Sequence, residues 1–138
     1  MAGVIPVEGR VVFGNMIFKQ DNTNRGTGLQ LGLFVYSGTV DQNITYATIA
    51  AAEASGGGYS RISLADGNWG NASGVMTYAK QTFTAVGGDY AAAVRGYFIC
   101  TTGASPKLIA IEIDTAGPFP MIENDTYDIT PTINLVSV

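Results

Sequence analysis

The stretch Leu29-Gln30-Leu31-Gly32-Leu33-Phe34-Val35-Tyr36 sets Leu29, Leu31, Leu33 and Val35 at every second position. Successive side chains of an extended chain point to opposite faces, so these four share one face, the pattern of a half-buried strand. The texture continues downstream. Residues 74–85 place Val75, Ala79 and Phe83 on one face, with Met76, Tyr78 and Lys80 opposite. Residues 94–100 and 107–113 read as two more strands. Residues 127–129 and 132–136 read as a last pair, or as one strand interrupted at Pro131.

Turn-forming residues punctuate these runs at 22–28, 55–58, 66–70, 85–89, 102–106 and 116–120. That spacing belongs to a sandwich or barrel rather than to βαβ units. Eighteen glycines suit the many tight turns it needs. The expected fold is all-β: an antiparallel, jelly-roll-like β-sandwich over residues 1–138 as one domain. At most one short helix is expected, near residues 46–54, where alanines cluster. Asp41 or Thr45 would cap it and the glycines from Gly56 would end it. Residues 1–12 are apolar and read as an N-terminal arm or edge strand.

The chain has 138 residues, of which 46% are hydrophobic and 13% charged, with a mean hydropathy of +0.20. The charged share is about half the usual one, so the surface is dry for a free monomer and points to burial against partners. Net charge is −4 and the seven bases are scattered singly, while five acids and no base follow Lys107. Nucleic acid and anionic membranes are therefore not expected partners. No apolar run is long enough for a membrane span, and no signal peptide is evident, so synthesis in a reducing cytoplasm is expected. Cys100 is the only cysteine and lies in an apolar run, which favours a buried, inert thiol.

The most decisive negative is the absence of histidine. A Ser-His-Asp or Cys-His arrangement cannot be built without it, and one cysteine cannot supply a zinc, copper or non-haem iron site. Among carboxylates, Glu112 and Asp114 share a strand face and Asp125 sits in an oxygen-rich loop. The alternation places Ile109, Ile111 and Ile113 on the core side, so Glu112 and Asp114 are expected on the solvated side. Residues 123–128 lack an EF-hand pattern, and no Lys-Ser/Thr follows Gly56-Gly57-Gly58 to make a phosphate loop. No enzyme, cofactor or metal is expected. Trp69 lies between turn formers and reads as an anchor ring, together with Tyr59, Phe83 and Phe98.

Several pieces in order carry a resemblance. These are Leu31-Gly32-Leu33-Phe34, residues 53–61 from Glu53 through Gly56-Gly57-Gly58 to Tyr59 and Arg61, and the lone Trp69. Lys80-Gln81-Thr82-Phe83, Gly96-Tyr97-Phe98, Gly117-Pro118-Phe119 and residues 128–133 follow. The chain resembles a loosely defined set of small β-sandwich or jelly-roll virion proteins of tailed phages. The likeness begins near Leu31, and Ala91-Ala92-Ala93 stands where a bulkier aromatic is expected.

The resemblance implies a structural virion protein, a capsid decoration or cement protein. It would bind the major capsid protein of the assembled shell as a homo-oligomer, most simply a trimer. Candidate contact residues are Val4, Ile5 and Val7 in the arm, with Phe119, Met121 and Ile122 in the Pro-bounded loop. The alternative is a host-recognition module of a tail or fibre. In that case Trp69, Tyr36, Tyr46, Tyr59 and Tyr90 would form a glycan-stacking platform.

Overall fold

A computed structural model describes residues 3–23 and 25–135. Most of the regular structure is strand, paired antiparallel throughout. The central sheet has four strands in the order β2 (Ile62–Leu64), β1 (Leu29–Phe34), β6 (Gly96–Thr101) and β7 (Leu108–Ile113). In β1 and β6 the side chains bury on both faces. Leu31, Leu33 and Ile99 join one apolar cluster, and Phe34, Phe98 and Cys100 join the other. The alternation in residues 29–36 thus separates two packed faces instead of core from water.

Glycines admit the rings on the second face. Gly32 pairs with Phe98 and Gly96 with Phe34. A Cβ at Gly32 would run into the Phe98 ring, and one at Gly96 into the Phe34 ring. Each phenylalanine therefore lies over the glycine of its neighbour strand, a pairing that restores apolar cover to the gap.

The first face is covered by a second, bent ribbon. β4 (Val75–Thr77) pairs with β9 (Thr132–Asn134), and β5 (Gln81–Thr84) pairs with β8 (Thr126–Ile129). Both strand lines break at the same level, where the Tyr78 N–H reaches the Pro131 carbonyl. Pro131 has no N–H to return, so the run expected over 74–85 splits into two strands there. β3 (Gly70–Ala72) adds a hairpin through Ser73 and Gly74, both at positive φ, the backbone of a two-residue primed turn. Residue 136, expected in the last strand, lies outside the described residues.

The N-terminal expectation needs correcting. Residues 1 and 2 lie outside the described residues, and Val4 does bridge Ile111 at the free edge of β7, with N–O distances of 2.7 and 3.0 Å. From Val7 to Phe18, however, the chain forms a 12-residue helix, α1. Pro6 precedes its first turn and Glu8 lies within that turn. Glu8 Oε2 accepts the backbone N–H of Tyr46 at 3.0 Å and of Leu108 at 3.1 Å, tying α1 to two other elements. Gly9 rests on the Ile109 backbone, where a Cβ would lie 2.7 Å from the carbonyl oxygen. "One short helix at most" is therefore wrong. The shorter helix, α2 (Tyr46–Ala50), is present, and Thr45 caps it by accepting the Thr48 N–H at 3.3 Å. It ends before 54 because residues 52–54 pair with the end of β1, through Val35 N to Ala52 O and Ala54 N to Leu33 O.

Candidate functional site

Three places combine chemistry with position. The first is built by the segment from Glu53 to Arg61. Gly56, Gly57 and Gly58 all take positive φ, which a side chain disfavours. The turn they make sets Glu53, Tyr59 and Arg61 side by side. Arg61 grips Glu53 with two bonds, Nε to Oε1 at 2.8 Å and Nη2 to Oε2 at 2.6 Å. Its guanidinium also donates to the Tyr46 hydroxyl at 2.9 Å and the Cys100 sulfur at 3.3 Å, and it lies over the Tyr46 and Phe98 rings. Tyr59 donates its hydroxyl to Glu53 at 2.8 Å and accepts the Leu33 N–H at 2.9 Å. Every strong donor here meets an acceptor, so the network fastens β1, β2 and α2 together. Burial pushes the Cys100 thiol up to about 11, against a smaller pull from Arg61. The thiol is neutral at ordinary pH.

The second place is the acidic end of β7. A β-bulge in the pairing at Ile99 and Cys100 shifts the register, so Ile109 joins one cluster while Ile111 and Ile113 join the other. Glu112 keeps the face opposite Ile111 and Ile113, but it is half-buried there rather than fully in solvent. It stands opposite Tyr97 and accepts that hydroxyl at 2.9 Å. Asp114 accepts the Tyr127 hydroxyl at 2.7 Å and the Ala116 N–H at 3.0 Å. Burial, then these carboxylates, push both tyrosines well above their ordinary pKa. Beside these pairs a cleft of about 500 Å³ opens between β7, β8 and β9. Asp125 is elsewhere, closing a turn by accepting the Ile122 N–H. Among the described residues no group of three metal-ligating side chains comes together.

The third place is the outer face of α1. Gly9, Val12 and Met16 turn inward, while Val7, Val11, Gly14 and Phe18 follow one another at spacings of four, three and four. That spacing puts the latter set on the opposite side of the helix. Val7 is 46% exposed, Val11 54%, Ile17 70% and Phe18 87%. Nothing lies within 4 Å of a Cβ placed on Gly14.

The residues singled out from the sequence scatter across these places. Of the expected contact set, Met121 is a core residue, and Val4, Ile5 and Phe119 are half-buried. Phe119 packs on Tyr127 at 5.5 Å between ring centroids. Only Val7 and Ile122 are exposed. The tyrosines do not form one platform: Tyr36 and Tyr46 belong to the cluster on one face of the central sheet, Tyr59, Tyr90 and Trp69 to the other. Phe83 and Phe98 are core, Tyr59 stacks on Phe83, and Trp69 meets Tyr78 edge-on at 5.2 Å. No family model, curated protein or solved structure matches this chain.

Val11, Ile17 and Phe18 escaped the sequence reading, because α1 is apolar nearly all round and no polar face marks its period. Tyr97 and Tyr127 had no such signal, because their carboxylate partners lie 15 and 13 residues away. Among the described residues no helix is long and apolar enough to cross a membrane.

Proposed function

We propose that this protein is a structural component of a virus particle: a β-sandwich, jelly-roll-like decoration protein that binds the assembled capsid shell as a small homo-oligomer. The observation that carries this reading is the outer face of α1. Val7, Val11 and Phe18 stand in water there, with Ile17 exposed at its margin, on a chain with only 13% charged residues. A free monomer gains nothing from that exposure, whereas an assembly covers it. The four-three-four spacing is that of the apolar seam of a helix bundle, which suits a closed oligomer such as a trimer. The kind of assembly is taken from the resemblance read in the sequence, in the ordered pieces from Leu31 onward.

Such a protein acts by mass action. Binding the assembled shell and not its free subunits lowers the free energy of the shell. No covalent step is required, and the Glu53–Arg61 network serves the fold. Imaging of intact particles carrying the labelled chain tests the reading. It predicts copies arrayed over the shell, and particles lacking the chain that rupture at lower temperature. Particles that survive heat and osmotic shock unchanged without it would refute a cement role.

A further inference from the structure

We propose that the apolar pocket beneath α1 receives the Phe18 ring of a second copy of this chain. This rests on the homo-oligomer half of the reading above and says how one copy grips the next. The pocket holds about 240 Å³ and is lined by Phe13, Met16, Leu29, Trp69, Ile133 and Leu135. A dry apolar cavity of about 150 Å³ is already enough for a benzene ring. The walls suit a ring as well, with aromatic faces, branched carbon and a polarisable thioether.

The ring that fits is carried by the same helix. Among the described residues Phe18 is the most exposed large apolar side chain. It cannot enter the pocket of its own chain. Met16 lines that pocket, and Phe18, two positions on, lies on the opposite face of α1. The end of the helix is also locked. The Lys19 and Asp21 N–H groups both return to the Asn15 carbonyl, at 3.0 and 3.1 Å, with Gln20 at positive φ between them. Phe18 is thereby held outward as a rigid knob, which lowers the cost of ordering it on binding.

The charges select a second copy as the partner. Lys19 and Asp21 follow the knob, and Arg25 and Asp66 pair at the pocket. Of the chain's 7 bases and 11 acids, two of each sit here, so the −4 surplus lies elsewhere. Copies meeting on this face bring both signs to each other and avoid the repulsion that the acidic remainder would impose. With knob and hole on one chain, a closed ring of copies gives one Phe18 and takes one at every contact.

Trp69 is the only tryptophan and lines the pocket, so its fluorescence reports what enters. The test follows emission and sedimentation of the full chain alone over a dilution series. Trp69 emission should shift to the blue as the oligomer forms. Phe18→Ala removes the knob, and Leu135→Arg sets a charge at the half-exposed rim of the hole. Each should weaken self-association by about tenfold or more and abolish the shift. An equal mixture of the two variants should still form a heterodimer, because one intact knob then meets one intact hole. Circular dichroism of each variant separates loss of contact from loss of fold. The proposal is overturned if Trp69 emission is independent of concentration, if Phe18→Ala associates as tightly as the parent, or if the mixture fails to pair. It is overturned too if Trp69 shifts only when capsid shells are added, which makes the shell the occupant. Because the chain is tested alone, this contact can fail while shell binding stands, and the reverse.

Discussion

At the scale of single residues, Arg61 carries the most interactions. Its side chain and that of Glu53 are 19% and 18% exposed, so water only partly screens the pair. Replacing one member strands the other's charge inside. Arg61→Met should therefore cost about 2–3 kcal/mol in urea denaturation, less than a fully buried pair would lose. Adding Glu53→Gln should cost less than the sum of the two single changes, because the stranded carboxylate is then gone.

Cys100 gives a pH signature. Its thiol titrates near 9 when free and near 11 in the fold, where burial disfavours the thiolate. The folded state thus keeps its proton after the unfolded state has lost it. The resulting stability is complete below pH 9 and falls as pH rises through 9 to 11. Chemical denaturation across that window should show the decline, and Cys100→Ala should flatten part of it. At pH 8 a thiol reagent should react with Cys100 only as fast as the protein unfolds. The lone, apolar-flanked cysteine made its burial legible in the sequence. Its contact with Arg61 was not, since 39 residues separate them.

At the scale of elements, α1 and β7 explain where sequence patterns mislead. α1 is apolar nearly all round, so it lacks the polar face that makes a helix visible by its period. Its two glycines should respond oppositely to alanine. At Gly9 the new Cβ meets the Ile109 backbone, and Gly9→Ala should destabilise by about 1–3 kcal/mol. At Gly14 the space is open, so Gly14→Ala should stabilise by about 0.5–1 kcal/mol through helix propensity. Thermal unfolding of the two variants decides it, and equal shifts of the same sign would disprove this placement of the helix. In β7 the alternation was real, but a bulge and cover on both faces reassigned it. Glu112 meets a tyrosine on the face expected to be wet.

At the scale of the whole molecule, exposed apolar surface and internal core must be told apart by their response to mutation. Val11→Ser with Phe18→Ser removes exposed side chains and should leave the monomer's unfolding free energy within about 0.5 kcal/mol of the parent. The same variant should sediment as a smaller species than the parent and fail to bind shells. Phe83→Ala, by contrast, empties a core position and should cost about 3–5 kcal/mol.

The sequence by itself determined that the chain builds antiparallel strands joined by tight turns, that it holds no histidine chemistry, and that its surface is short of charge. Each of these is local or countable: a period of two, a residue absent, a ratio. Only the tertiary structure decided that both faces of the central sheet are covered and that the N-terminal segment is a helix, apolar inward and outward alike. It alone joined Arg61 to Cys100 and Asp114 to Tyr127. The reason is physical: alternation fixes which side chains share a face, whereas what covers that face depends on contacts between residues far apart in the chain.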